Sequence, residues 1–267
     1  MDETITVMGV KLRRSPVSCA SEAPCAYLEN GFCRRCTCEK CRGGYLIDEW
    51  RQEMLKGHFA HGPRECACVE RARSRKRLRD AGLEELAGRC RFDSFRTDTP
   101  WQKVMKQKAQ DYLADARHMS FFISGQSGCG KTHLCTAVCN ELIGQGGRLR
   151  YLQWVRDGTR LKQLVAEREA YEREIAALIE TPYLYIDDLF KQELTAADIR
   201  LAYEILGGRY NRGRPVILSS ERSLEYIRAA RGGDGEAVAG RIFESCGRGK
   251  YCLELSGAEK NMRFAVA

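Results

Sequence analysis

The 267 residues predict an α/β fold, a parallel sheet flanked by helices, with a small cysteine-rich module ahead of it. Three observations carry this. The run Phe121-Phe122-Ile123 leads into a glycine-rich turn, Gly125 to Thr132, and then into Leu134, Ala137, Val138 and Leu142 at helical spacing, a strand–loop–helix pattern. Further apolar runs at 149–154, 183–188 and 215–221 alternate with helical stretches, the order that yields parallel pairing. Cysteines 19, 25, 33, 36, 38, 41, 66 and 68 crowd the first quarter of the chain.

Composition sets the class. Hydrophobic content of 43% and charged content of 30% are ordinary for a soluble globular protein. Met1 to Val10 lacks both the basic start and the apolar centre of an export signal, and the longest apolar runs are strand-sized. A cytoplasmic address without membrane contact is therefore expected, and most of the 14 cysteines should be reduced thiols or metal ligands. The net charge of +8 fits an anionic partner such as nucleic acid and equally fits a solvated surface.

In chain order the module comes first, as residues 1–70. Cys33 with Cys36 and Cys38 with Cys41 form two overlapping C-x-x-C pairs, and Cys66 with Cys68 forms a C-x-C pair. Two close pairs separated by a loop suit tetrahedral Zn²⁺, because each pair takes two adjacent corners. Cys38, Cys41, Cys66 and Cys68 are the preferred ligands; Cys33 and Cys36 could replace one pair, or with Cys19 and Cys25 hold a second ion. Four sulfur ligands leave no open position, so such a zinc is structural. Residues 71–100 form a linker. Its basic stretch, 69–79, reads as a solvated helix rather than a contact for DNA phosphates, because no aromatic residues interleave the charges. The connector from 80 to 100 is punctuated by Gly82, Gly88 and Pro100.

The main domain, 101–267, opens with a helix from Trp101 to Arg117 and reaches the glycine turn, which fits G-x-x-x-x-G-K-T at Gly125, Gly130, Lys131 and Thr132. Glycines let such a loop curl its N–H groups toward phosphates, and the helix N-terminus adds positive potential at the same place. Gly125, Gln126, Ser127, Gly128, Cys129, Gly130, Lys131, Thr132 and His133 are the expected contacts for ATP, with Lys131 at the β- and γ-phosphates and the Thr132 hydroxyl on Mg²⁺.

After a strand at 149–154, the spacing Leu161, Leu164, Val165, Tyr171, Ile175, Leu178, Ile179 predicts one long amphipathic helix from Thr159. Tyr183 to Asp188 is an apolar strand ending in paired acids. Asp187 is placed on Mg²⁺ through water and Asp188 as the carboxylate that activates water. A helix from 196 to 211 leads to the strand 215–221, whose end brings Ser219, Ser220 or Glu221 to the γ-phosphate as a sensor. A helix from Leu224, a glycine-rich loop, a helix holding Gly240 to Phe243 and a last strand, 250–255, close the chain.

Ile186 to Lys191, Ala197 to Leu206, Arg209-Tyr210-Asn211, Ile217 to Glu221 and Gly240-Arg241-Ile242 together resemble the DnaC/DnaI-like helicase loaders, bacterial and phage AAA+ ATPases related to IstB-type transposition helpers. Cys66-Ala67-Cys68-Val69-Glu70 and Phe92 to Phe95 extend the resemblance forward, so it runs from about Cys38 to Arg263. It implies an AAA+ core that self-associates, hydrolyses ATP and loads the replicative DNA helicase onto single-stranded DNA, with the zinc module as the helicase contact. It also implies Arg241 as a finger completing a neighbouring subunit's site, and Arg263 as a second nucleotide-sensing arginine. Glu221 stands where many members of that family have Asn. The alternatives are a transposition helper and an ATP-switched adaptor with little turnover.

Overall fold

The computed structural model describes residues 76–115, 118–192, 194–257 and 260–262, and before them the backbone of four short strands. The chain divides into two compact units, Met1–Lys76 and Arg77–Ala267. In the first, β1 (Thr4–Val7) pairs antiparallel with β2 (Val10–Arg13), and β3 (Leu28–Glu29) with β4 (Phe32–Cys33). Cys38, Cys41, Cys66 and Cys68, together with Cys19, Cys25, Cys36 and Arg263, lie outside the described residues.

The second unit is built on one five-stranded sheet: β5 (Phe121–Gly125), β6 (Leu149–Gln153), β7 (Tyr183–Leu189), β8 (Val216–Ser220) and β9 (Cys252–Leu255). The strands lie in the order β6-β7-β8-β5-β9, and every pairing is parallel. Phe121, Phe122 and Ile123 are all fully buried although they alternate in direction, so the sheet is covered on both faces. That is why its strands read as continuous apolar runs. All the C-terminal strand ends face one edge, and β5 delivers the glycine loop to that edge.

Residues 76–80 are helical, and the described helices after them are α1 (Glu84–Arg89), α2 (Pro100–Asp115), α3 (Lys131–Gly144), α4 (Thr159–Leu164), α5 (Arg168–Glu180), α6 (Ala196–Asn211), α7 (Leu224–Arg228) and α8 (Asp234–Ser245). Two differences from the sequence reading have physical causes. The expected connector contains α1, which packs on α3 and is fixed there by Asn140, whose amide donates to the carbonyls of Ala87 and Cys90. The expected long helix from Thr159 is two helices, preceded by a π-turn at Trp154–Gly158. Its apolar stripe stops at Val165, which is 58% exposed, and resumes only at Tyr171. A continuous helix would need an apolar residue at 168 or 169, where Arg168 and Glu169 stand.

Helix α6 starts on a full capping box: Thr195 Oγ1 accepts from the Asp198 N–H, and the Asp198 carboxylate accepts from the Thr195 N–H. Among the described residues no helix is long and apolar enough to cross a membrane.

Candidate functional site

The loop between β5 and α3 has the backbone the motif requires. Gly125, Gly128 and Gly130 take positive φ values of 153°, 81° and 92°, which disfavour side-chain-bearing residues. A Cβ at Gly125 would lie 2.8 Å from Leu255 of β9, and one at Gly130 would lie 3.1 Å from the ring of Phe95. The loop is thus walled by the last strand on one side and by the 91–95 segment on the other. His133 ties that segment down: its Nε2 lies 2.9 Å from the Arg91 carbonyl and 3.3 Å from Ser94 Oγ, and its ring meets Phe95 edge-on. The Met262 N–H donates to the Gly128 carbonyl, so the C-terminal segment also touches the loop.

Lys131 is only 5% exposed, and its ammonium donates to the carbonyls of Gly125 (2.7 Å) and Gln126 (2.8 Å). The charge therefore sits inside the curl, where phosphate oxygens would meet it. Thr132 Oγ1 donates to Asp187 Oδ1 at 3.1 Å, which brings the two expected magnesium residues together across 55 positions of sequence. A glycine-curled loop at a helix N-terminus, a buried ammonium and a hydroxyl–carboxylate pair fit a nucleoside triphosphate with Mg²⁺. Among the described residues no group of three or more His, Cys, Asp and Glu is placed to hold a metal ion by itself.

Asp187 and Asp188 sit in an irregularity of β7. Ile186 pairs with Leu218 but Leu189 pairs with Ser220, so one extra residue is accommodated there, and Asp188 takes the left-handed φ of 56°. Such bulges re-aim side chains beside active sites. Here Asp187 turns inward, 4% exposed, and Oδ1 accepts from Thr132, from the Tyr185 phenol (2.7 Å) and from Ser219 Oγ (2.5 Å). Oδ2 accepts from the Tyr151 phenol at 3.1 Å. Burial pushes both phenols well above the usual tyrosine range, and the Asp187 charge adds to this, so both remain donors. Asp188 turns outward to Lys191 at 2.6 Å, while its N–H donates to Ser219 Oγ.

The expected sensor residues separate. Ser220 spends its hydroxyl on the Leu189 carbonyl and accepts the Arg222 N–H; Ser219 is the serine that reaches Asp187. Glu221 lies 3.6 Å from Lys191. The hydrogen bond to Asp188, with Glu221 adding, raises the Lys191 pKa and keeps it charged. Arg241 does not join the site. Its guanidinium stacks 4.3 Å over the Tyr203 ring and donates to Tyr203 Oη and the Ala237 carbonyl. It lines a cleft with Ser120 and Val216, at the opposite sheet edge from the loop.

Tyr151, Tyr185 and Lys191 complete the site without standing among the expected catalytic, sensor or metal residues, while Ser219 is the expected sensor serine that reaches Asp187. A Tyr two positions before the first acid was a usable signal, since alternate strand residues share a face.

Comparison with known proteins gives three findings. The family described as IstB-like ATP binding protein matches residues 53–245. The phage-like element PBSX protein XkdC of Bacillus subtilis (strain 168) is 30% identical over 240 residues, 85% of this chain and 83% of that protein; the replicative helicase loader DnaC of Escherichia coli (strain K12) is 24% identical over 181 residues, 65% and 74% of the two chains. The crystal structure of the DnaC helicase loader superposes with a TM-score of 0.54 at 22% identity, covering 64% of this chain and 98% of that one, which supports the fold.

Proposed function

Because the chain belongs to the family of IstB-like ATP binding proteins, we propose that it is an ATPase that loads a replicative DNA helicase onto single-stranded DNA. The observation that carries the ATPase reading is the meeting of Lys131, Thr132 and Asp187 at one sheet edge. Bound ATP and Mg²⁺ supply the transferable phosphoryl group and the cation that offsets its charge. Lys131 would leave its loop carbonyls for the phosphates; Thr132 would ligate the metal, and Asp187 would hold it through water. Asp188 is positioned to take a proton from water only after giving up its ion pair with Lys191, so that pair sets a brake on turnover. Ser219, already on Asp187, reports the state of the acid to β8.

The loader reading is supported by the similarity to DnaC, whose name states that role. The second reading, a helper that acts with a transposase, is supported by the likeness to a putative ATP-binding protein in an insertion sequence, 29% identical over 159 residues. Co-purification from the native host with ATP present separates them. Recovery of a replicative helicase is expected, and recovery of a transposase instead would move the protein to the helper class.

Two further roles are proposed. Arg241 acts on a neighbouring copy of the chain, since its own loop is out of reach. Arg241→Ala should leave ATP binding unchanged and lower oligomer- or DNA-stimulated hydrolysis about 10³-fold, the range found for such fingers; unchanged stimulation would place the finger elsewhere. Cys38, Cys41, Cys66 and Cys68 hold one structural zinc, which serves as the staple a small module needs and as part of the helicase contact. Elemental analysis of reduced full-length protein should find about one zinc per chain, and zinc-free folded protein would end that assignment.

A further inference from the structure

Tyr151 touches two places that have no other direct link among its contacts. At its ring end it donates to Asp187 Oδ2 (3.1 Å), the oxygen that Thr132, Tyr185 and Ser219 leave free. At its backbone end its N–H donates to the Ala81 carbonyl (3.1 Å), and its ring lies 4.0 Å from where a Cβ on Gly82 would stand. Residues 79–82 are where the chain enters the ATPase unit from the N-terminal third, and they are a defined structure. Ala81 and Leu83 are buried, Gly82 has a φ of 76°, and the N–H groups of Ala81, Gly82 and Leu83 donate to the carbonyls of Arg77, Arg79 and Leu78. The sheet makes this possible. β6 is one of its two edge strands, so the Tyr151 N–H takes its partner from this entering segment rather than from another strand. Across the sheet, Tyr151 stands in register with Tyr185 of β7, with ring centroids 5.2 Å apart, which aims both phenols at the same carboxylate.

We propose that Tyr151 is a positioning residue for the magnesium carboxylate and couples it to residues 79–82. This rests on reading the site as one for ATP and Mg²⁺. A carboxylate that accepts on one oxygen alone can turn about its last torsion, whereas donors on both oxygens fix its plane. Tyr151 supplies the described donor on the second oxygen, and its backbone is anchored on the entering segment. A shift of that segment therefore changes how Asp187 is presented, and by linkage a cation beside Asp187 must change the stability of the segment. Any partner that pulls on the N-terminal third would gain a route to the nucleotide site through Tyr151.

The test uses full-length protein and Tyr151→Phe, which keeps the ring and the Ala81 bond and removes one hydroxyl. Amide hydrogen exchange is measured with and without Mg²⁺ and a non-hydrolysable ATP analogue at saturation. In the native protein, residues 125–132 and 79–83 should both gain protection. In Tyr151→Phe the loop should still gain it and residues 79–83 should not. Mn²⁺ binding to the nucleotide complex, read by electron paramagnetic resonance, should weaken about tenfold, the low end for loss of an outer-shell partner. Equal protection of 79–83 in both proteins, or unchanged Mn²⁺ affinity, would overturn the coupling while leaving the nucleotide site standing. Absence of protection at 125–132 in the native protein would overturn the nucleotide site, and the coupling with it.

Discussion

Arg209→Ala is expected to destabilise the ATPase unit by about 3–5 kcal/mol, a large part of the 5–15 kcal/mol that holds a typical domain together. Arg209 is fully buried on α6, and its two terminal nitrogens donate to five carbonyls: Leu178 (2.6 Å), Ile179 (3.1 Å), Thr181 (2.9 Å), Pro182 (3.2 Å) and Pro215 (2.7 Å). Those of Leu178 and Ile179 belong to the last turn of α5, where carbonyls have no intrahelical partner. Those of Pro182 and Pro215 immediately precede β7 and β8. One guanidinium thus ends a helix and fixes the entry of the two strands that carry Asp187 and Ser219. Burial pushes its pKa down to about 9, which still leaves it charged at neutral pH.

Removing it strands several buried acceptors at once, each costing about 1–3 kcal/mol when unpaired, with the sum reduced by relaxation. Arg209→Met, which keeps most of the volume, should be nearly as damaging, because the loss lies in the donors. Arg209→Lys should recover only part, since one ammonium has three donors and no planar fork. Urea unfolding measures all three. A loss below about 1 kcal/mol for the alanine variant would show that water replaces the guanidinium without difficulty.

Lys131→Ala is expected to lower ATP turnover by about 10²–10³-fold or to abolish ATP binding outright, while the protein stays folded. Among the described residues the Lys131 ammonium is the cation held on the carbonyls of the curl. In the ligand-free protein its loss leaves the Gly125 and Gln126 carbonyls without their donor, which costs about 1 kcal/mol. Folding should therefore survive where catalysis does not. Titration with a fluorescent ATP analogue and a thermal melt on the same sample separate the two effects. Normal turnover by a folded variant would contradict the site.

The sequence exposes the parts of this site that depend on fixed local spacing. The glycine loop, Lys131 and Thr132 are a short contiguous pattern whose backbone demands are written in residue types. The apolar strand ending in Asp187 and Asp188 is nearly as clear. The rest depends on geometry that spacing does not encode. The extra residue that turns Asp187 inward and Asp188 outward has no sequence mark, so the acids read as a simple pair. Ser219 and Ser220 are both fully buried, because the sheet is covered on both faces, and alternation alone could not tell which reaches the acid. Tyr151 and Tyr185 look like ordinary strand aromatics until strand register brings them side by side. Arg209 resembles any charged residue late in a helix, and its burial follows only from where α5, β7 and β8 converge. The two-helix break after Val165 is marked in the sequence only by Arg168 at the in-phase position between Leu164 and Tyr171, which interrupts the stripe without shifting it.

The central claim is that ATP bound at Lys131 controls delivery of a helicase to DNA. It is tested most directly by mixing the chain with the replicative helicase of its own host and closed circular single-stranded DNA, and measuring helicase retained on the circle. A closed circle has no end to thread, so a ring enters only if it is opened. Retention should require both the native protein and ATP and should be lost with Lys131→Ala. Equal retention without the protein, or with Lys131→Ala in its place, would contradict the account.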